Sequence, residues 1–338
     1  MNRKVLMITA TLVVGAAVVL LFDSAKDRQV DPRVGKPMVQ ASEILDVAEI
    51  EISRGDANLK LVLDQDKIWH LNDLSGFPAD AAKVSRALDE LSKAQIQVLA
   101  AASSNKEAMN EFGFDNATRV TLKAVAGKEL FTANFANNRE KGGQYVSIGG
   151  DFKVYLIGQS VRLMPDVSEW ELKSLLNVTP DQVKSVEFVP SAALKKKPVL
   201  LLRAKLEDPI AVEKVPNGLK DAASIRTHES ILSNITFTGR VDPSNEQFKA
   251  AMATPSTVNV TLFDGRTYTA KVGSTGDVNG KKYYLQLTGL KGEPTSEAEV
   301  KNLEFLNDLM TRFAFEVSSF IGGKFEKGQE DMVEKKDS

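Results

Sequence analysis

An ordered set of residue blocks occurs twice in this chain, and this repeat limits the possible folds more than any other feature. Asp80-Ala81-Ala82 with Val84 and Leu91 returns, at one constant spacing, as Asp221-Ala222-Ala223 with Ile225 and Leu232. Ile96-Gln97-Val98 returns as Ile235-Thr236-Phe237, and Val120-Thr121-Leu122 as Val260-Thr261-Leu262. Phe131-Thr132-Ala133 is matched by Tyr268-Thr269-Ala270, and Tyr145 to Gly150 by Tyr284 to Gly289. The order is kept throughout, and the downstream blocks alternate apolar and polar residues as half-buried strands do. Such self-similarity is the signature of a structural unit used twice. The first Asp-Ala-Ala segment continues with Val84, Leu88 and Leu91 on one helical face, and Pro78 stands near its start, where a missing N–H costs least. A helix is expected in both copies.

The upstream parts correspond as well. Ile50-Glu51-Ile52, Leu59 to Leu63 and Ile68 to Leu71 predict three short strands, matched by Val186-Glu187-Phe188, Val199 to Leu202 and Ile210-Ala211-Val212. Arg54-Gly55-Asp56, Ala126-Gly127-Lys128, Asp264-Gly265-Arg266 and Asn279-Gly280 mark turns. The expected fold is therefore α+β, with tandem duplicated modules of antiparallel sheet and a packed helix. Ser296 and Glu299 can form a capping box for a further helix carrying Val300, Leu303, Leu306, Met310 and Phe313 on one face. Phe313, Phe315 and Val317 then alternate as in a strand, and the charged residues from Lys324 onward predict a frayed tail.

The N-terminus is of another kind. After Met1-Asn2-Arg3-Lys4, the segment Val5 to Phe22 carries no charge. About eighteen residues at 1.5 Å each span about 27 Å, close to the bilayer's hydrocarbon thickness and longer than a secretory signal's apolar region. Asp23-Ser24-Ala25 offers no good cleavage site. The expectation is one uncleaved transmembrane helix in a bacterial inner membrane, with the N-terminus in the cytoplasm and the bulk of the chain in the periplasm. The expected organisation is an anchor at 1–22, a linker at 23–40 carrying Pro32, Gly35 and Pro37, a first module at 41–165, a second at 166–323 with the C-terminal helix, and a charged tail at 324–338.

Composition removes several chemistries. With no cysteine, the chain has no disulfide, thiolate nucleophile or cysteine-ligated metal. A net charge of −2 gives no basic footprint for nucleic acid, and Lys195-Lys196-Lys197 reads as a solvated loop. His70 and His228 show no metal-binding spacing and read as structural. Gly158-Gln159-Ser160-Val161-Arg162 lacks the second glycine of a nucleophile elbow. The glycine-rich stretch 273–281 fails the phosphate-loop spacing and reads as a hairpin loop, and Asp64-Gln65-Asp66 begins like a calcium loop but has Trp69 where glycine is required. No catalytic, cofactor or metal residue is assigned. Trp69 reads as core, whereas Trp170, between the modules, is a candidate either for cementing them or for contacting a partner.

Ile68-Trp69-His70-Leu71, Phe77-Pro78-Ala79-Asp80 with Val84 and Leu88, Phe112-Gly113-Phe114-Asp115, Tyr145-Val146 and Val154-Tyr155-Leu156 occur in an order that resembles a known family. It is an uncharacterised bacterial domain family, anchored by one N-terminal helix and often encoded beside gliding-motility-type ABC transporter components. Where that family often has proline after the Gly-Phe/Leu-Asp turn, this chain has Asn116-Ala117-Thr118. The resemblance implies an envelope role near a transporter, with permease and ATPase subunits as partners, and no catalytic residue. The expected function is thus a non-enzymatic periplasmic accessory or scaffold subunit of an inner-membrane complex. A glycan- or lipid-binding module and a hydrolase of unrecognised type are the alternatives.

Overall fold

The computed structural model describes residues 31–102, 106–140, 142–150, 152–276, 280–292 and 296–336. The expected anchor at 1–22, the first part of the expected linker and residues 337–338 lie outside the described residues. Among the described residues no helix is long and apolar enough to cross a membrane. The fold is mixed α+β, and its sheets are antiparallel at every strand pair described. It divides into two compact units, Met1–Leu172 and Lys173–Ser338.

In unit 1 a short helix α1 (Ala41–Leu45) precedes β1 (Glu49–Arg54), β2 (Ala57–Leu63), β3 (Trp69–Leu71) and β4 (Phe77–Pro78). Helix α2 (Ala81–Lys93), β5 (Ile96–Ala101), α3 (Lys106–Glu111), β6 (Thr118–Lys123), β7 (Glu129–Glu140), β8 (Gly143–Ile148), β9 (Val154–Ile157) and α4 (Val167–Trp170) follow. The strands form one sheet in the order β4-β3-β2-β1-β6-β7-β8-β9-β5. Alternation sets its faces: Ile50 and Ile52 of β1 are buried, while Glu49 and Glu51 turn outward to Lys60 and Lys123. Pro78 belongs to edge strand β4 rather than to the helix start, and Asp80 caps α2 by accepting from the Ala82 and Lys83 N–H groups. Val84, Ala87 and Leu91 are the buried face of α2.

Residues 31–40, expected as linker, are part of unit 1. Gly35 N–H donates to Ile96 O at 2.8 Å, Ile96 N–H to Lys36 O at 3.0 Å and Met38 N–H to Ala94 O at 2.7 Å, so this segment closes the start of edge strand β5. Met38 and Val39 are buried. The Asp31 carboxylate accepts from Lys153 Nζ at 2.8 Å and from the Tyr155 hydroxyl at 3.2 Å. Proline and glycine here shape a turn onto the sheet, with Gly35 at φ +82°, instead of loosening the chain.

Unit 2 contains β10 (Ser174–Leu176), β11 (Val183–Val189), β12 (Val199–Leu202), β13 (Ala211–Val212), β14 (Leu219–Asp221), β15 (Ile235–Thr236), β16 (Gly239–Val241) and α5 (Glu246–Met252). Then come β17 (Ser256–Leu262), β18 (Thr267–Thr275), β19 (Lys282–Leu290), α6 (Glu297–Arg312), β20 (Ala314–Val317), α7 (Ser319–Phe325), α8 (Gln329–Met332) and β21 (Val333–Lys335). The main sheet runs β13-β12-β11-β17-β18-β19-β20-β16, which is the order of unit 1 from β3 to β5. Phe188 and Phe315 are fully buried on it. Each such side chain contributes about 1.5–3 kcal/mol relative to exposure.

Three features of unit 2 differ from expectation. The segment after Asp221 forms a 3-10 helix, Ile225–Ser230, instead of an α-helix. Ile235–Thr236 pairs with β10, and the strand that takes the place of β5 is β16, a few residues later. The charged end is not frayed among the described residues, because β21 pairs with β14 and Met332 has no exposed surface. As expected, Ser296 and Glu299 form a capping box at the start of α6, and the chain after α6 becomes a strand.

Candidate functional site

The residues singled out in the sequence are mostly structural. Trp69 is buried on β3. His70 is held on both sides: its Nε2 lies 2.6 Å from Asp64 Oδ2 and its Nδ1 2.8 Å from Gly76 O. Burial pushes the Asp64 carboxyl up, but the Ile68 N–H and His70 outweigh it and hold it below its ordinary value. The Asp64-Gln65-Asp66 stretch is thus a turn between β2 and β3, closed by Asp64 N–H to Ile68 O. His228 meets the Phe188 ring edge-on at 5.5 Å, and burial depresses its pKa. The glycine-rich stretch is the hairpin loop between β18 and β19, with residues 277–279 outside the described residues. Lys195 and Lys197 are exposed, as in a solvated loop, while Lys196 Nζ reaches Asp331 at 2.9 Å and the Lys197 carbonyl accepts from Gln329 N–H. No group of three potential metal ligands is found among the described residues.

Trp170 is also buried, at 5% exposure, within unit 1. Its indole N–H donates to Met164 O at 2.8 Å, and its own carbonyl accepts from Asp80 N–H at 2.7 Å. The candidate for cementing or for partner contact is thus a buried side chain that braces the segment 161–164 within unit 1. That segment is one wall of a cavity of about 220 Å³.

The cavity opens at one end of the unit 1 sheet. Arg54 comes from the end of β1, Thr118 from the start of β6, Phe135 and Ala136 from β7, Gln144 from β8, and Val161 to Met164 from the chain after β9. Gln144 is buried and locks the wall: its amide nitrogen donates to Ala136 O at 2.8 Å, and its oxygen accepts from Val161 N–H at 3.0 Å. Among the described residues the half-buried Arg54 guanidinium meets only the Met164 sulfur, at 3.6 Å, and a thioether is a weak acceptor. Arg162 stands at the rim, 68% exposed and 3.8 Å from Glu169. The lining holds two cations and no acid among the described residues. The sequence presents Arg54 only as part of a turn and Arg162 only as part of an incomplete elbow, so neither is identifiable from it.

The corresponding place in unit 2 is built differently. Register fixes the correspondence: Gln144 pairs with Ile157 as Tyr283 pairs with Val317, and Val146 pairs with Tyr155 as Leu285 pairs with Phe315. Four residues beyond these strands, segment 161–164 is matched by 321–324, which lies in α7. There the Tyr283 ring packs on Gly322 so closely that a Cβ on Gly322 would overlap it. Glu326 closes the arrangement, accepting from Lys281 Nζ at 2.7 Å and from the Tyr283 hydroxyl at 3.1 Å. Burial alone would lower the Lys281 pKa, but Glu326 raises it above its ordinary value.

Residues 69–246, more than half of the chain, match the model of a domain of unknown function, DUF4340. The match begins at β3 of unit 1 and ends at the first residue of α5 in unit 2. No curated protein and no solved structure matches the chain.

Proposed function

This chain belongs to the DUF4340 family, and we propose that it is a non-enzymatic accessory or scaffold subunit of an inner-membrane complex, with unit 1 as its binding unit. Residues 5–22 anchor it and the bulk of the chain lies in the periplasm. The complex is of the ABC-transporter type, with permease and ATPase subunits as partners, as the family resemblance implies. The observation that supports a binding role is the divergence of two units with one strand order. Unit 1 keeps a preformed, one-signed cavity, whereas unit 2 packs a tyrosine ring at that place. A cavity whose walls are fixed by buried hydrogen bonds loses little entropy when something enters it.

Affinity purification of the full chain in mild detergent tests the proposal, with a version lacking residues 41–338 as control. Stoichiometric recovery of permease and ATPase subunits, lost in the control, is expected. Recovery of the chain alone after gentle crosslinking overturns it.

A further inference from the structure

We infer that the unit 1 cavity takes one carboxylate on a short aliphatic stem, as an aspartate or glutamate side chain presents it. The inference rests on unit 1 being the binding unit, but not on the anchor or on the identity of the membrane partner. Size comes first. At about 220 Å³ the cavity is smaller than the roughly 300–1,000 Å³ of ordinary ligand pockets, and a group the size of one side chain fills it.

Charge then selects the head group. Arg54 and Arg162 both line the cavity, and no carboxylate among the described lining residues neutralises them. Arg54 pairs with Ala57 of β2 and its neighbour Ser53 pairs with Arg119 of β6, which holds the base of the side chain. Its guanidinium faces the Met164 sulfur at 3.6 Å, so its fork of N–H donors remains to be matched by a better acceptor. A carboxylate satisfies two such donors at once, and the bond is stronger in a half-buried place than in water. Among the described residues Arg162 is bound only by an exposed pair at 3.8 Å, which is weak and screened by salt, so it is free to turn to an entering anion.

The walls select the stem. Phe135, Ala136, Val161 and Leu163 are all buried apolar residues that line the cavity. Gln144 adds no ligand contact of its own, since both ends of its amide are occupied by Ala136 and Val161. A bare inorganic anion leaves these walls unfilled. In the inferred complex a short stem meets the small surface these side chains present, and its carboxylate meets Arg54.

The test uses the full-length chain in detergent and measures binding by calorimetry for four probes. These are the capped peptide Ac-Ala-Glu-Ala-NH2, its glutamine counterpart, glutarate and inorganic phosphate. The glutamate peptide should bind at least about tenfold tighter than the glutamine peptide and than phosphate. Arg54→Met should abolish that preference and Arg54→Lys should keep part of it. Arg162→Met, at an exposed position where folding is not at risk, should weaken the glutamate peptide several-fold. If the peptide exceeds glutarate, the carboxylate comes from a protein; if glutarate equals it, from a free small acid. Equal binding of the two peptides, phosphate as tight as glutamate, or no effect of both Arg162→Met and Arg54→Met on a folded chain overturns the inference. Loss of the transporter subunits in co-purification with carboxylate binding intact counts against the proposed complex and leaves this site standing.

Discussion

Units 1 and 2 share one strand order and one register, yet use the end of the β8 or β19 strand differently. In unit 1 the position holds Gln144, whose amide ties two backbone segments together and leaves space beside them. In unit 2 it holds Tyr283, whose ring fills the place and demands glycine at 322. The turn after the strand differs too. Residues 149–153 bridge β8 and β9 directly, whereas α6 is inserted between β19 and β20, with Leu303, Leu306, Leu309 and Met310 buried. That helix leaves the end of β19 far from Tyr283, so the filling at the matching place is the work of the Tyr283 ring and of Gly322 in α7. One residue exchanged on a strand, together with the segment that follows its neighbouring strand, makes the same place in a repeated fold open or filled.

The comparison can be broken most forcefully at the end of unit 2. Met332→Ala removes a fully buried side chain and should cost about 2–5 kcal/mol in denaturant unfolding. Loss of the cooperative transition of unit 2 alone is expected, with unit 1 unaffected. Next, Gly322→Ala drives a methyl into the Tyr283 ring and should cost about 1–3 kcal/mol. The matching change in unit 1, Arg162→Ala, should stay within about 0.5 kcal/mol, because that side chain is 68% exposed. Equal effects of the two would erase the distinction between filled and open.

Two smaller effects depend on pH. Asp31 in unit 1 is held below its ordinary pKa by Lys153 first, then by the Arg33 N–H and Tyr155 against the opposing effect of burial. Its contribution is full above about pH 4, the unfolded value, and is lost as the pH falls through the lower folded value. Asp31→Asn should lower stability at neutral pH by about 1–3 kcal/mol and flatten the acid limb of unit 1 in a pH series of melts. His228 in unit 2 has the same sign in a higher pH window. Its folded pKa is depressed by burial, so stability falls as the pH drops below about 6.5, the unfolded value, towards the folded one. His228→Asn should remove this slope, and a slope unchanged between pH 5 and 7 would show that another group carries it.

Much of the fold can be read from the residues because each strand carries its own pattern. Ser256 to Leu262 alternate buried and half-buried residues along the whole of β17, and Ser296 with Glu299 caps α6 from local chemistry alone. The α-helix expected after Asp221 does not form, for a reason also present in the sequence. Thr227 and Ser230 turn their hydroxyls onto the carbonyls of Ser224 and Thr227, at 2.6 and 2.8 Å, and compete with an α-helical turn. The charged end reads as unstructured because its acids and lysines outnumber Phe325 and Met332, but those two are buried completely and hold it down. The cavity is the least legible part. Its residues come from β1, β6, β7, β8 and the 161–164 segment, and none carries a motif. The one available signal is the exchange of Gln144 for Tyr283 at matched places in the repeat, which marks the point where the two units part.

The pairing of β21 with β14 has a consequence in time. Residues 333–335 leave the ribosome after every other strand of unit 2, yet β14, their partner, lies more than a hundred residues earlier. At roughly 5–20 residues per second, β14 waits on the order of ten seconds for its neighbour. In unit 1 the widest such gap, from β1 to β6, is little more than half as long. During that interval the half-made unit 2 presents an open strand edge, the kind of surface that chaperones cover and proteases cut.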